Sequence, residues 1–513
     1  MKLSKLLESV EIVESHKEKD IDIKGIAYDS RKVKPGDLFV CIKGYKTDGH
    51  NYIFQAIENG AKGIIVENLD IRWDIPQYRV KDSREALSAL SSTFYGHPSK
   101  DMKVIGITGT NGKTSTSFMI NSILEEHSLK TGLIGTVMVK YNNYINPSIL
   151  TTPESLDLQK LFNNMKKENI SHIIMEVSSS ALELKRVANV DYDIVSLNNI
   201  SREHIDVHGS FEEYFNTKST LIKNMKKDGW VILNLDCPYS SSLVNKTEAS
   251  LISYGIKNKD GVLSIRDLDL STGRGKFIVK LNKTLKVGET IYNPQSFKIE
   301  LSVPGYHSVY NSLAAIAMGL LSEVPILTMQ NGLKSFKGVE RRFQFIYDND
   351  FKIIDDHFAN VGNIDATMKT LSLMDYKDFH LVYAIRGSRG VVTNRENAEA
   401  IAKWLNKLGK NEIIATSSVS HVMTKDKVLD EELMVFKEVM DRENIVVNFY
   451  DELSDAISHV QSITSKGDII LLAGCQGMDY GAQIILENLY KLRPNLNKDK
   501  LFKPLSNRVA GIA

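Results

Sequence analysis

The fifteen residues from Val104 to Phe118, VIGITGTNGKTSTSF, constrain this chain more than any other stretch. Val104, Ile105 and Ile107 are apolar and suit a short buried strand. Gly109 and Gly112 bracket a turn in which the backbone can approach an anion with no Cβ in the way. From Thr114 onward, Phe118, Met119, Ile120, Ile123 and Leu124 form one apolar helical face. A strand, a glycine turn and a helix in that order aim the first N–H groups of the helix at phosphate oxygens. Lys113 then pairs with β/γ oxygens, and the Thr114 hydroxyl faces Mg²⁺. The spacing departs from the general phosphate-loop pattern, because Ile107 stands where that pattern has its first glycine. A plain glycine turn between a strand and a helix would need neither the lysine nor the hydroxyl.

Around this stretch the chain reads as α/β in three domains: residues 1–99, 100–337 and 338–513. In the first, KGIAYDSRKVKPGDLFVCIKG has apolar runs broken by the turn signal Lys34-Pro35-Gly36-Asp37, and NYIFQAIENGAKGIIVE reads as helix, glycine stop and strand. The polar tract 94–102 marks the boundary. In the second, apolar runs at 104–107, 172–177, 192–197 and 230–235 alternate with helical patterns, which predicts a mainly parallel sheet covered by helices. A β-rich insertion at 250–303 reads as antiparallel, the helix NSLAAIAMGLLSEV follows, and FKGVERRF reads as a linker. In the third, FKIIDD, DFHLVYAI, NEIIATSS, NIVVNFY and DIILLAG are strand candidates of a Rossmann-like domain.

Composition excludes several function classes. The formal net charge of +1 gives no overall field for nucleic acid or an anionic membrane. Three widely spaced cysteines, Cys41, Cys237 and Cys475, form no CxxC pair, so neither a disulfide framework nor a zinc site is expected. No run of about 18 apolar residues occurs, and the N-terminus has no sustained apolar core of a signal peptide. A cytoplasmic protein is expected.

The tract TGTNGKT, residues 108–114, resembles the ATP loop of the Mur ligases, whose loop is shorter than the general pattern. Folylpolyglutamate synthetases share a similar loop, so other stretches must decide. DSRKVKPGDLFVCIKG with Asp48-Gly49-His50, GTV at 135–137, TTPESLDLQ at 151–159, EVSSSALELKRV at 176–187 and NNISREHIDVHGSFEEYFNTKSTLI at 198–222 look like the E-type branch of that family. The likeness is dense from about residue 20 to 345 and thinner afterwards.

The resemblance implies a UDP-sugar-binding first domain, a central ATPase domain and a C-terminal amino-acid-binding domain. It implies an ATP- and Mg²⁺-dependent ligase that adds an amino acid to UDP-N-acetylmuramoyl-L-alanyl-D-glutamate in peptidoglycan precursor synthesis. A Mur-like ligase joining an amine to a different carboxylate is the alternative. The implied partners are a UDP-sugar peptide and an amino acid, with no nucleic acid, no membrane insertion and a monomeric chain.

The same resemblance assigns roles by position. Gly109, Thr110, Asn111, Gly112, Lys113, Thr114, Asn311, Arg342 and Asp355 match ATP contacts. Thr114, Glu176, His204 and a carbamylated Lys218 match metal ligands, the carbamate turning a cation into an anion. Lys113, Glu176, His204 and Lys218 are the implied catalytic set. Ser30, Thr151, Thr152, Ser178 and Arg186 match sugar-nucleotide contacts, and Arg389 matches an arginine near the amino acid. His208 reads as structural.

Several positions depart from the family pattern. Glu203 precedes His204 where aspartate is common, Ser180 replaces a histidine, and Leu184 stands where glutamine is common. The tract DDHFANV rewrites the family's DYAH. The arginine-bearing DNPR tract of diaminopimelate-adding enzymes corresponds to ATSSVSHV, which has no arginine. The GKGHE tract corresponds to AGCQGMDYG, with Asp479 the nearest carboxylate. A site built to hydrogen-bond a charged group discriminates strongly against analogues lacking it. The expectation is that meso-diaminopimelate is not bound in the usual manner. L-lysine, L-ornithine and other amines stay open.

Overall fold

The computed structural model describes residues 1–44, 47–201, 210–506 and 508. The chain divides into two units, residues 1–109 with 127–252 and residues 110–126 with 253–513.

The first unit holds two sheets. The N-terminal sheet runs, edge to edge, Glu14–His16, Gln77–Arg79, Gly63–Val66, Asp37–Val40 and Gly25–Ala27. Only the Glu14–His16 pairing in it is antiparallel. The larger sheet places Lys103–Thr108 at the centre, with Ile194–Leu197 and Trp230–Asn234 on one side and His172–Glu176 and Thr131–Ile134 on the other, all parallel. Met138–Tyr141 and Tyr144–Pro147 extend it in antiparallel fashion. Strands buried on both faces need continuous apolar runs rather than alternation. For that reason the runs at 104–107 and 172–177 were legible.

One helix of this unit has a charged residue on its inner face. Phe211–Lys223 starts at Ser210, whose Oγ accepts from the Glu213 N–H as an N-cap. Its buried residues are Tyr214, Lys218, Ser219, Leu221 and Ile222. Positions 214, 218, 221 and 222 lie on one helical stripe. Lys218 therefore shares a face with core side chains.

In the second unit the helix Lys113–Glu126 begins one residue before Thr114. It packs on Tyr306–Leu321 and Ile326–Ser335, and the Ser122 hydroxyl donates to the Gly332 carbonyl at 2.8 Å. The unit's C-terminal sheet runs Gln344–Asp348, Lys352–Asp356, Ile469–Gly474, Phe379–Ala384, Glu412–Thr416 and Val446–Tyr450. All but the first strand are parallel. The five strand candidates read from the sequence are five of these six. Phe343, Ile354, Phe358, Phe379, Tyr383 and Phe436 anchor one apolar layer, and Ile353, Val382, Ile470 and Leu472 face another.

The β-rich insertion corrects one expectation. Leu263–Asp269, Arg274–Leu281 and Gln295–Pro304 pair antiparallel as read, but Tyr254 and Gly255 pair with Leu263 and Ser264 in parallel. Alternation of apolar residues sets which face each side chain takes. It carries no information about the direction of the neighbouring strand. No helix among the described residues is long and apolar enough to cross a membrane. The three cysteines are buried free thiols.

Candidate active site

In the first unit, Glu176 ends its strand with a side chain 0% exposed. Its carboxylate accepts from the Thr136 N–H and the Thr136 hydroxyl, both at 2.9 Å. The carboxylate lies flat against Gly135, where a Cβ would fall 2.3 Å from Glu176 Oε1. Glycine at 135 is therefore a condition for this placement. The Thr136 and Thr151 hydroxyls are 3.1 Å apart. Thr152 donates to the Glu176 carbonyl at 2.8 Å, the Ser178 N–H donates to Thr152 Oγ1 at 3.1 Å, and Arg186 donates to the Thr152 carbonyl at 3.2 Å.

Five residues expected from the sequence (Thr151, Thr152, Glu176, Ser178 and Arg186) thus form one connected polar network at the carboxyl edge of a parallel strand. Open α/β sheets place their ligands at that edge. Arg186 also pairs with Glu154 at 2.9 Å, and Arg84 from the N-terminal domain pairs with the other Glu154 oxygen at 3.2 Å. Thr136, Glu154 and Arg84 were not picked out from the sequence. The first two sit in stretches that were read, GTV and TTPE, whereas nothing along the chain marks Arg84. Ser30 lies apart from this network, its hydroxyl donating to Gln55 Oε1 at 2.6 Å. Tyr28 donates to Asp157 Oδ2 at 2.6 Å, and burial together with that carboxylate raises its phenol pKa.

Lys218 is 2% exposed. Its ammonium nitrogen lies 3.2 Å from the Gly109 carbonyl and 3.4 Å from Thr108 Oγ1, with the Tyr214 ring 5.0 Å away. The Thr108 hydroxyl donates in turn to the Val177 carbonyl at 2.8 Å. A lysine fully enclosed on the inner face of a helix is not an ordinary solvated one. His204 and His208 lie outside the described residues. Among the described residues no three His, Cys, Asp or Glu side chains gather as a metal cluster. A hard cation held mostly by phosphate and water oxygens needs only one or two protein carboxylates, and Glu176 is of that kind.

In the second unit, Gly112 has φ +84°, and a Cβ there would fall 2.4 Å from Asn311 Oδ1. Two independent reasons therefore require glycine. Lys113 donates from Nζ to the Thr110 carbonyl at 3.0 Å, and the Thr116 N–H closes the first helical turn on the Gly112 carbonyl at 2.9 Å. Asn311 is buried, and its Nδ2 has no hydrogen-bond partner among the described residues. A buried, unpaired amide donor beside a phosphate-type loop is costly unless a ligand accepts from it. The loop and this donor fit a nucleotide.

Asp355 is 0% exposed and held by two arginines: Arg341 Nε at 3.4 Å and Arg508 Nη1 at 2.7 Å. Arg341 also pairs with Asp479, whose carboxyl pKa is raised by burial despite that arginine. Asp355, expected to contact ATP, is thus the centre of a buried ionic network. Arg341, Arg508 and Asp479 complete it. Asp355→Ala would leave the buried Arg508 without its carboxylate and Arg341 with Asp479 alone, and we expect it to destabilise the C-terminal fold by about 3–5 kcal/mol, read as a lower denaturant midpoint. An unchanged midpoint would show that the network carries no net stability.

Arg342 donates to the Arg341 carbonyl at 3.2 Å. His357, beside Arg342, Arg341 and Arg386, has its pKa pushed well below the usual value, mainly by burial. Arg389 faces Asp426 at 3.5 Å, while its N–H and those of Ser388 and Gly390 donate to the Glu432 carboxylate. Arg389 is therefore fixed at its backbone, with a guanidinium more than a third exposed.

Three family models match the chain: "Mur ligase family, catalytic domain" over residues 22–95, "Mur ligase middle domain" over 107–319, and "Mur ligase, glutamate ligase domain" over 341–476. A UDP-N-acetylmuramoyl-L-alanyl-D-glutamate--2,6-diaminopimelate ligase of Clostridium botulinum (strain ATCC 19397 / Type A) is 35% identical over 491 residues, covering 94% of this chain and 95% of that protein. A solved structure of a protein with the same ligase name superposes with TM-score 0.66 at 22% identity, covering 92% of this chain and 93% of that one. The ligase MurF of Thermotoga maritima, solved in complex with ADP, superposes with TM-score 0.63 at 21% identity, covering 95% of this chain and all of that one.

Proposed function

This chain belongs to the Mur ligase family, and on that premise we propose that it joins an amino acid to UDP-N-acetylmuramoyl-L-alanyl-D-glutamate at the expense of ATP. The observation that carries the proposal is the likeness along 94% of the chain to a ligase named for that acceptor. The γ-phosphoryl group passes to the acceptor carboxylate and releases ADP. The amine nitrogen then attacks the carbonyl carbon of the acyl phosphate, and the tetrahedral adduct expels phosphate. Both reacting partners of the first step are anions, so catalysis is mostly positioning and charge neutralisation.

Lys113 supplies the cation for the phosphates. Asn311 and Arg342 supply donors for the rest of the nucleotide. Thr114 would offer its hydroxyl and Glu176 its carboxylate to Mg²⁺, which when bound would neutralise phosphate oxygens, and His204 and a carbamylated Lys218 would be ligands for a second ion. Thr151, Thr152, Ser178 and Arg186 receive the sugar-nucleotide peptide, and Ser30 the uridine end. The functional domains are 1–99, 100–337 and 338–513, in a cytoplasmic, monomeric enzyme.

The amine is the point at which the relatives' names and the chain's own residues diverge. The relatives are named for diaminopimelate. The stretch 415–422, ATSSVSHV, contains no arginine for a distal carboxylate. Any diaminopimelate bound here is held by other residues, such as Arg389. The test is phosphate release from ATP with the acceptor, Mg²⁺ and each candidate amine in turn, with products weighed by mass spectrometry. The expected result is one amine giving a product heavier by its residue mass. Silence with every amine, from a protein that binds ATP, would transfer the reading to a Mur-like ligase of a different carboxylate.

A further inference from the structure

The glycine turn of the second unit is held from two sides by asparagines remote in sequence. On one side Gly112 abuts Asn311. On the other, Asn363 Nδ2 donates to Asn111 Oδ1 at 2.9 Å, across 252 residues of chain. Asn363 is itself fixed. It lies in the first turn of the Val361–Leu371 helix, and its N–H donates to Oδ1 of Asn360, the N-cap, at 3.0 Å.

A glycine-rich turn has more backbone freedom to lose than any other segment. Ordering each of its residues costs about 1–2 kcal/mol. A contact that fixes the turn beforehand removes part of that cost from binding. The partners here are two neutral amides, so the contact adds no charge near an incoming phosphate.

We propose that Asn363 is a positioning residue for the nucleotide: by holding the Asn111 side chain it sets the Thr110–Lys113 backbone in its anion-binding shape before ATP arrives. The proposal rests on the reading of this loop as the ATP site. It also gives the C-terminal domain a stake in ATP affinity that does not pass through the amino-acid substrate.

The test is a double-substitution cycle on the full chain, read as the ATP dissociation constant in the presence of Mg²⁺. Asn363→Ala is expected to weaken ATP binding about fivefold, the worth of one neutral hydrogen bond. Asn111→Ala should weaken it at least as much, and the double variant no more than the worse single one, because the two side chains act as one contact. Asn363→Asp, which loses the donor and gains a negative charge, should bind ATP more weakly than Asn363→Ala. Affinity for the UDP-sugar dipeptide should not change in any of them, which a general loss of structure could not leave untouched. Independent, multiplying penalties, or an Asn363→Ala protein with unaltered ATP affinity, would overturn the clasp. Absence of ATP binding by the unsubstituted chain would overturn the nucleotide reading and the clasp together.

Discussion

Lys113→Met is expected to lower kcat by about 10³-fold, at the upper end of what the loss of one preorganised donor to developing charge costs. In the structure Lys113 donates from Nζ to the Thr110 carbonyl of its own loop at 3.0 Å. Methionine keeps the length and apolar stem of the side chain, and the helix that starts at this residue tolerates it well. The substitution therefore removes a cation and little of the fold. Phosphate release under saturating acceptor and amine measures the loss directly. A fall of less than tenfold would mean that the phosphates are neutralised elsewhere and that the loop serves only to bind.

The second large effect concerns Lys218. On the function proposed above, the Lys218 ammonium would lose a proton and the neutral amine would add CO₂ with loss of a second proton, giving an N-carboxylate, so that a cation becomes an anion. An ammonium beside a divalent ion repels it, whereas a carboxylate at the same place attracts it. The enclosed position on the inner face of its helix keeps bulk water away from the amine. Lys218→Gln is expected to lose about 10²–10³-fold in kcat, with the ATP dissociation constant in the absence of metal unchanged. Removing dissolved CO₂ should slow the unsubstituted protein and leave Lys218→Gln where it was. Carbon-13 bicarbonate should give a carbamate resonance in the first and none in the second. Full activity in CO₂-free buffer, with no such resonance, would leave Lys218 as a buried structural lysine.

The elements that carry the candidate site were legible along the chain because their parts are local. Strand, glycine turn and helix follow one another within fifteen residues, and each part is demanded by backbone geometry, apolar period or charge. Glu176 could be placed at a strand's carboxyl end because the apolar run HIIM precedes it. The central C-terminal strands such as Ile469–Gly474 were legible because parallel strands covered on both faces are apolar throughout. The parallel pairing of Tyr254 with Leu263 was not, since alternation says nothing about a neighbour's direction. Arg84 was invisible for a related reason: a single arginine on an amphipathic helix looks like every other solvated cation until folding brings Glu154 to it.

What the sequence determined by itself was the class of chemistry: a phosphate loop with its lysine and hydroxyl, a strand-end carboxylate, and the order of α/β elements that carries them. These are set by short-range sterics and by the period of apolar residues, which neighbours in the chain settle between themselves. Only the tertiary structure decided which polar groups share a hydrogen bond. It joined Thr136, Thr152, Ser178 and Arg186 around Glu176, enclosed Lys218, committed Asp355 to Arg341 and Arg508, and set Asn363 on Asn111. The hydrogen bonds and ion pairs among them join residues from 14 to 252 positions apart. Burial makes an unpaired polar group costly, and so the fold, rather than the local sequence, selects its partner.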